Sequence, residues 1–180
     1  VVKWSCEDPN KDTLIYDVFH RQIGQRRWIR LAEDVKETLH IWDTRTVPDG
    51  RYEVRVVADD RLGNALGSEL TDARLSDPFI VDNTPPNVRI ERVERLGKSG
   101  VRLHGLAKDK LSPIAEAGYR VNSQEECQVI MPDDDVFDSL EERFTITVMD
   151  LDPGDHWISI RASDGHGNAR YISQKVTVGD

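Results

Sequence analysis

The sequence predicts an all-β protein made of two tandem antiparallel β-sandwich domains. The first observation is an internal repeat: residues 50–64, GRYEVRVVADDRLGN, return as residues 154–168, GDHWISIRASDGHGN, at a constant offset of 104 residues. A repeat of this kind indicates that the chain contains two copies of one domain. The second observation is a series of short segments that alternate apolar and polar residues and are separated by turn residues. The offset is close to the size of one sandwich domain, roughly 100 residues.

The first predicted domain covers residues 1–83. Turn residues separate the strands that we expect in it, at residues 1–7, 14–21, 28–31, 38–43, 51–58 and 77–82. Residues 14–21 carry apolar side chains on both faces, which favours a central strand, and residues 32–37 are expected to form a polar loop. A short helix over residues 66–75 is the one rival interpretation, and Gly67 and the short length disfavour it.

The predicted boundary is a linker at residues 84–86, where Pro85 and Pro86 fix φ and remove two backbone donors. The second predicted domain covers residues 87–180. Its strands are expected at residues 88–96, 101–107, 117–122, 127–131, 144–149, 156–162 and 169–178. The strand at 88–96 has no counterpart in the first domain, so we expect that domain to lack its first strand.

Composition excludes several classes of function. The chain has 180 residues, a net charge of −9 and a pI near 5.1, which argues against nucleic-acid binding and against anionic membrane surfaces. No segment approaches the ~20 apolar residues that span a bilayer, so no membrane insertion is expected. Cys6 and Cys127 fall in different halves, which leaves no disulfide within either domain.

A family resemblance rests on residues 47–56, VPDGRYEVRV, and on Ala58. They resemble the start of the sixth strand in fibronectin type III and immunoglobulin-like sandwiches. The resemblance implies that the Tyr52 hydroxyl bonds to backbone upstream, the tyrosine corner. In the second domain His156 occupies that position. We keep His156 inward because a slip that placed Trp157 there would turn Ser159 and Arg161 inward as well.

A closer resemblance covers almost the whole chain. It is carried by residues 4–19 (WSCEDPNKDTLIYDVF), 42–50 (WDTRTVPDG), 78–86 (PFIVDNTPP) and 132–144 (PDDDVFDSLEERF). These stretches resemble a tandem sandwich pair found towards the C-terminus of large bacterial exported proteins, after a β-propeller-like region. The resemblance implies an extracellular, periplasmic or cell-surface location, and it brings no active site.

The sequence contains no recognisable set of catalytic residues. None of the five histidines stands in HExxH, and no nucleophile elbow GxSxG is present. His166 lies beside Asp164 in a Gly-rich turn, where a turn role explains it as well as a catalytic one. We therefore predict that the chain is not an enzyme.

Calcium is the sharper hypothesis, because hard cations take oxygen ligands from Asp- and Asn-rich loops. The candidate ligands are Asp8, Asn10, Asp12, Asp60 and Asp82. The loop spacing of an EF-hand is absent, and Asp and Asn are also ordinary turn residues, so turn chemistry remains the alternative. The same alternative applies to the acidic loop at residues 133–135.

Glycan or protein contacts would use exposed aromatic side chains, and Trp28 and Trp157 are the candidates. Trp157 shares a strand face with Ser159 and Arg161, whereas Trp4 lies on the face that is expected to enter the core.

The leading function is a non-catalytic accessory, spacer or protein-interaction module that contacts other domains of a larger exported bacterial protein. The alternative is a carbohydrate- or adhesion-type binding domain supported by calcium.

Overall fold

The computed structural model describes residues 1–122 and 125–179, and it contains two compact units, Val1–Val81 and Asp82–Asp180. The division falls close to the predicted linker, with Asp82 and Asn83 in the second unit. The predicted strand at 127–131 and every predicted site residue lie within the described residues. No helix among those residues is long and apolar enough to cross a membrane.

Unit 1, Val1–Val81, is built from short antiparallel strands. They are β1 (Val2–Lys3), β2 (Ile15–Gln22), β3 (Ile29–Val35), β4 (Leu39–His40), β5 (Gly50–Asp59), β6 (Thr71–Leu75) and β7 (Phe79–Val81). One sheet has the order β3-β2-β5-β6, with β7 also paired to β5, and the second sheet is the pair β1-β4. Strand β2 lies between β3 and β5, which confirms the prediction of a central strand.

Three local predictions for unit 1 need correction. The polar loop at residues 32–37 is largely strand, because β3 continues to Val35 by pairing with β2 across two register shifts. The rival helix at residues 66–75 is wrong, because Thr71–Leu75 pairs with residues 55–59 of β5 and a free sheet edge outweighs local propensity. The strand at residues 1–7 is shorter than expected, since only Val2–Lys3 is paired as β1.

Unit 2, Asp82–Asp180, has longer strands in the same chain order. They are β8 (Asn87–Leu96), β9 (Gly100–Lys108), β10 (Ile114–Val121), β11 (Gln128–Ile130), β12 (Glu141–Val148), β13 (Gly154–Asp164) and β14 (Ala169–Val178). They form a three-stranded sheet, β12-β9-β8, and a four-stranded sheet, β11-β10-β13-β14. All the pairings are antiparallel.

The core of unit 2 lies between the two sheets. Strand β12 alternates strictly between exposed and buried residues, so Phe144, Ile146 and Val148 point inward. From β13, Ile158, Ile160 and Ala162 enter the same core and are fully buried. Side chains from both sheets therefore meet in one apolar layer, as in a sandwich. Both units are immunoglobulin-like or fibronectin type III-like antiparallel sandwiches, and the predicted fold class is confirmed.

The repeated strand begins with the same backbone anchor in both units. The Tyr52 hydroxyl donates to the Pro48 carbonyl at 2.8 Å, which confirms the tyrosine corner. In unit 2 the Nε2 of His156 lies 2.7 Å from the carbonyl oxygen of Asp152. Both side chains therefore contact a backbone carbonyl four residues upstream, and His156 takes the place of the tyrosine. His156 is 9% exposed and Trp157 is 51% exposed, which confirms the predicted register of this strand.

Candidate metal-binding sites

The first candidate site lies in unit 1 and joins two loops. Asp8 and Asp12 stand in the loop between β1 and β2, and Asp60 directly follows β5. One carboxylate oxygen from each residue lies within 4.8 Å of the others. Asp60 is buried, and Asp8 and Asp12 are half-buried. Three of the five predicted ligands are therefore brought together.

Local hydrogen bonds hold this loop in shape. The Asp8 carboxylate accepts the backbone N–H groups of Asn10 at 2.8 Å and Asp12 at 3.0 Å, which closes an Asx-type turn. The Asp60 carboxylate accepts the N–H of Leu70 at 2.7 Å. The Asn64 side-chain amide donates to the Asp12 carboxylate at 3.3 Å, which connects the two loops. Asn10 is exposed, and its backbone N–H is the group that contacts the Asp8 carboxylate.

The second candidate site lies in unit 2 and is more deeply buried. Asp82 opens the unit, Asp109 follows β9, and Asp164 ends β13. Their oxygens again lie within 4.8 Å of one another. The exposed fractions of the three residues are 6%, 6% and 2%. The predicted ligand Asp82 thus belongs to a different cluster from Asp8, Asp12 and Asp60.

Backbone and side-chain donors fix the three carboxylates of this site. Asp109 accepts the N–H groups of Leu111 at 2.9 Å and of Ser112 at 3.1 Å. Asp164 accepts the N–H of Asn168 at 2.9 Å and its side-chain amide at 2.8 Å. That amide also donates to the Asp82 carbonyl at 3.0 Å. The turn after β13 is therefore tied to the segment that opens the unit.

Asp109 and Asp164 were missed as ligands at the level of sequence, although the repeat contained the signal. Asp164 stands at the position of Asp60, 104 residues later. Asp109 follows the second strand of its unit as Asp8 follows the equivalent strand of unit 1. Repeating the ligand assignment across the two units would have found both residues. The third carboxylate differs, because Asp12 comes from the loop after β1 and Asp82 from the start of its unit.

The electrostatics of both clusters favour a bound cation. Within residues 1–122 and 125–179, no Lys or Arg forms an ion pair with any of the six carboxylates. Three like charges at this separation repel one another, and burial removes the water that would screen them. Oxygens on opposite sides of a Ca²⁺ ion are separated by about 4.6–5.2 Å, twice the usual ligand distance. In both clusters the oxygens lie within 4.8 Å of one another, so they are close enough for one such ion to contact all three.

The histidine of the second site does not form a catalytic arrangement. Ser112 is 1% exposed and donates its hydroxyl proton to Asp82. The Nδ1 of His166 lies 2.8 Å from the same hydroxyl, so the proton on that nitrogen points to Ser112. In a hydrolase triad the histidine stands between acid and serine and takes the serine proton. Here the serine lies between the acid and the histidine, so the order of a triad is not formed.

The two candidate aromatic contacts lie in different surroundings. Two guanidinium groups lie over the ring of half-buried Trp28: the central carbon of Arg21 is 4.4 Å from the ring centroid and that of Arg55 is 4.9 Å away. This stacking occupies ring surface that a sugar would need. Trp157 is 51% exposed on the outer face of β13, and Tyr171 of β14 is 68% exposed on the same sheet.

The comparisons with known proteins yield structural similarity alone. No protein-family model and no curated protein matches the sequence. The chain is similar to the fibronectin(III)-like modules of Clostridium thermocellum CbhA, with a TM-score of 0.41 and 15% identity over 97% of this chain and 82% of that one. It is also similar to the FN1–FN3 domains of chicken CNTN1, with a TM-score of 0.37 and 15% identity over 99% of this chain and 62% of that one. Because both TM-scores are low, the fold of this chain is assigned from its own strand order and register and not from these similarities.

Proposed function

We propose that the chain is a non-catalytic accessory module, a pair of sandwiches that supports or positions other domains of a larger exported bacterial protein. Its location is then extracellular, periplasmic or at the cell surface, and its partners are domains of the same parent protein. The observation that carries the proposal is the repetition of one plan: the corner at the start of β5 and β13 and the carboxylate cluster at their ends occur in both units.

The test of the accessory role is a search for turnover and for ligand-dependent stabilisation. The purified chain is incubated with panels of polysaccharides, peptides and esters, and its melting temperature is measured with each compound. An accessory module shows no turnover and no shift with any organic compound. Turnover that is lost in Ser112→Ala or His166→Ala variants with unchanged melting temperatures would contradict the proposal.

A second candidate function is a calcium-supported binding domain of carbohydrate or adhesion type. The specific observation in its favour is that three clustered carboxylates occur in each unit without a basic partner among the described residues. In this role the cation joins loops that would otherwise repel, and the rigid loop end or the outer face around Trp157 contacts the target. Calcium would be held by Asp8, Asp12 and Asp60 in unit 1.

Isothermal titration with Ca²⁺ tests this second function. We expect saturable heat that falls in Asp60→Asn and Asp164→Asn variants, because each change removes one carboxylate charge from one cluster. Asp134→Asn is the matched control, since Asp134 lies in the exposed acidic loop. Equal heat in all three variants, or no heat in the original chain, would remove calcium from the account.

A polysaccharide depletion assay separates the carbohydrate role from a purely structural cation. Trp157→Ala should abolish co-sedimentation with an insoluble polysaccharide and leave the calcium titration unchanged. If the original chain does not sediment with any polysaccharide tested, the carbohydrate role is wrong and the accessory role stands.

A further inference from the structure

Strand β6 forms an open edge of the larger sheet in unit 1. Its residues, Thr71–Leu75, pair with β5 on one side, and none of the strands that the structure describes pairs with the other side. All five residues are exposed. In unit 2 the equivalent strand, β14, likewise pairs with β13 alone among the described strands, although β8 is present there. This edge is therefore open whether or not a unit contains a strand equivalent to β8.

The backbone of β6 presents alternate residues to the open edge. The Ser76 N–H donates to the Val54 carbonyl at 2.9 Å, in the same register as the β5–β6 pairing. Because hydrogen-bonding groups alternate sides along an antiparallel strand, every second residue back from Ser76 also faces β5. The N–H and C=O groups of Thr71, Ala73 and Leu75 therefore point away from β5. Such an unpaired row is a template for another strand.

The sequence of β6, TDARL, is complementary to itself when two copies run antiparallel. With Ala73 on the two-fold axis, Thr71 lies opposite Leu75 of the second copy, and Asp72 lies opposite Arg74. The outward-pointing residues then form the hydrogen-bonded pairs. Asp72 and Arg74 form the pairs without backbone hydrogen bonds, in which the side chains are closest. Opposite charges in such a pair stabilise a sheet, and like charges destabilise it.

The two charged side chains are available for this contact. The Nε of Arg74 lies 3.6 Å from the Asp72 carboxylate of the same strand, and the two side chains are 88% and 77% exposed. An ion pair so exposed to water contributes little stability within one copy. Charged residues on an edge strand ordinarily prevent edge-to-edge pairing. Two-fold pairing of β6 joins each charge to its opposite, so the same residues favour a second copy.

The equivalent edge in unit 2 lacks this complementarity. The pairing of β14 with β13 places Arg170 and Ile172 at the positions that Asp72 and Arg74 occupy in unit 1. Two-fold pairing about the equivalent centre would bring each arginine opposite an isoleucine, which leaves the charge without a partner. The self-complementary pattern therefore belongs to β6 and is not a general feature of this strand in the fold.

We propose that β6 is a self-association edge, at which β6 of a second copy of this chain pairs antiparallel about Ala73. The two unit 1 sheets then form one continuous sheet across the interface. Thr71, Ala73 and Leu75 supply the backbone hydrogen bonds, and the pairs of Asp72 with Arg74 set the register. Leu75, which is 58% exposed in one copy, is covered by Thr71 of the other. Because the interface is small, the complex dissociates in the micromolar to millimolar range.

Sedimentation equilibrium of the chain, from micromolar to millimolar concentration, measures this association. We expect a monomer–dimer equilibrium in the original chain. In Arg74→Asp and in Asp72→Arg, like charges face each other across the axis, so each dissociation constant should rise at least about fivefold. Arg92→Asp is the matched control, because it makes the same change of charge in another ion pair on a strand, with Glu94. It should leave the dissociation constant unchanged.

A mixture of the two variants tests the register. Arg74→Asp and Asp72→Arg chains, mixed one to one, should associate like the original chain, because each aspartate then faces an arginine. In the original chain, amide hydrogen exchange at Ala73, which faces the open edge, should slow as the concentration rises. A monomer at millimolar concentration, unchanged dissociation constants in both variants, no association of the mixture, or unchanged exchange at Ala73 would each overturn the proposal. None of these results bears on the accessory role.

Discussion

The close contact between Gly105 and Phe144 gives the sharpest test of the packing in unit 2. The two residues face each other across β9 and β12. A Cβ added at Gly105 would lie 2.2 Å from the nearest ring carbon of Phe144, well inside van der Waals contact. The ring is fully buried and surrounded by core residues, so it cannot move aside freely. Aromatic side chains often cover a glycine on the neighbouring strand in this way.

We expect Gly105→Ala to destabilise unit 2 by about 1–3 kcal/mol, the usual cost of overpacking a core. For a domain of this size that corresponds to a fall in melting temperature of roughly 5–20 °C. Differential scanning calorimetry measures the shift. Gly165→Ala is the matched control, because the nearest atom to its added Cβ is the Pro113 carbonyl oxygen at 3.8 Å. A Gly105→Ala variant that melts together with the control would refute the contact on which the argument rests.

Three further predictions concern unit 1. Tyr52→Phe removes the bond to Pro48 and should cost about 1 kcal/mol, measured by urea unfolding, and an unchanged midpoint would contradict the corner. Burial lowers the pKa of His20 in the folded chain, so the unfolded chain binds a proton more readily. The free energy of unfolding of unit 1 should therefore fall as the pH falls below about 6.5. Calorimetry at several pH values measures this dependence, and His20→Phe should remove it. The side-chain hydrogen bond from Arg45 lowers the pKa of Asp43 to about 2, so the interaction should persist above pH 4 and be lost as the pH falls through 2. An NMR titration of the Asp43 carboxylate should show a midpoint of about 2. In the Arg45→Ala variant that midpoint should rise towards 3.8.

Much of the fold could be predicted, because the internal repeat indicates two domains and the alternation of apolar and polar residues indicates their strands. Strand β14 coincides with the predicted segment 169–178, and the inward position of His156 followed from the two-residue period of strands. Where a strand is irregular, the pattern failed. Strand β3 passes through Asp34, which has a φ of 54° and sits at a register shift, so its sequence reads as a loop. Strand β6 is exposed throughout and has no inward face to mark it.

The candidate site was predicted in part, for a related reason. Asp8, Asp12 and Asp60 could be named as candidates, together with Asn10 and Asp82, because each follows or lies within a turn next to a predicted strand. Which of them share a site became visible only in the structure. Asp164 looked like an ordinary turn residue in a Gly-rich bend, and its burial depends on how the loops meet in three dimensions. The alternation within a single strand does not contain that information, whereas the repeat does point to Asp164, which lies 104 residues after Asp60.

The most direct test of the proposal that each unit carries a cation-binding loop end is calorimetry of the chain in 10 mM Ca²⁺ and in EDTA. With a dissociation constant typical of extracellular modules, binding adds about 1.4–2.7 kcal/mol to each unit, a rise of roughly 5–20 °C in melting temperature. The account predicts that both transitions rise, that Asp60→Asn cancels the rise of unit 1 and that Asp164→Asn cancels that of unit 2. Identical melting in Ca²⁺ and in EDTA would contradict the proposal and leave both carboxylate clusters as turn structure.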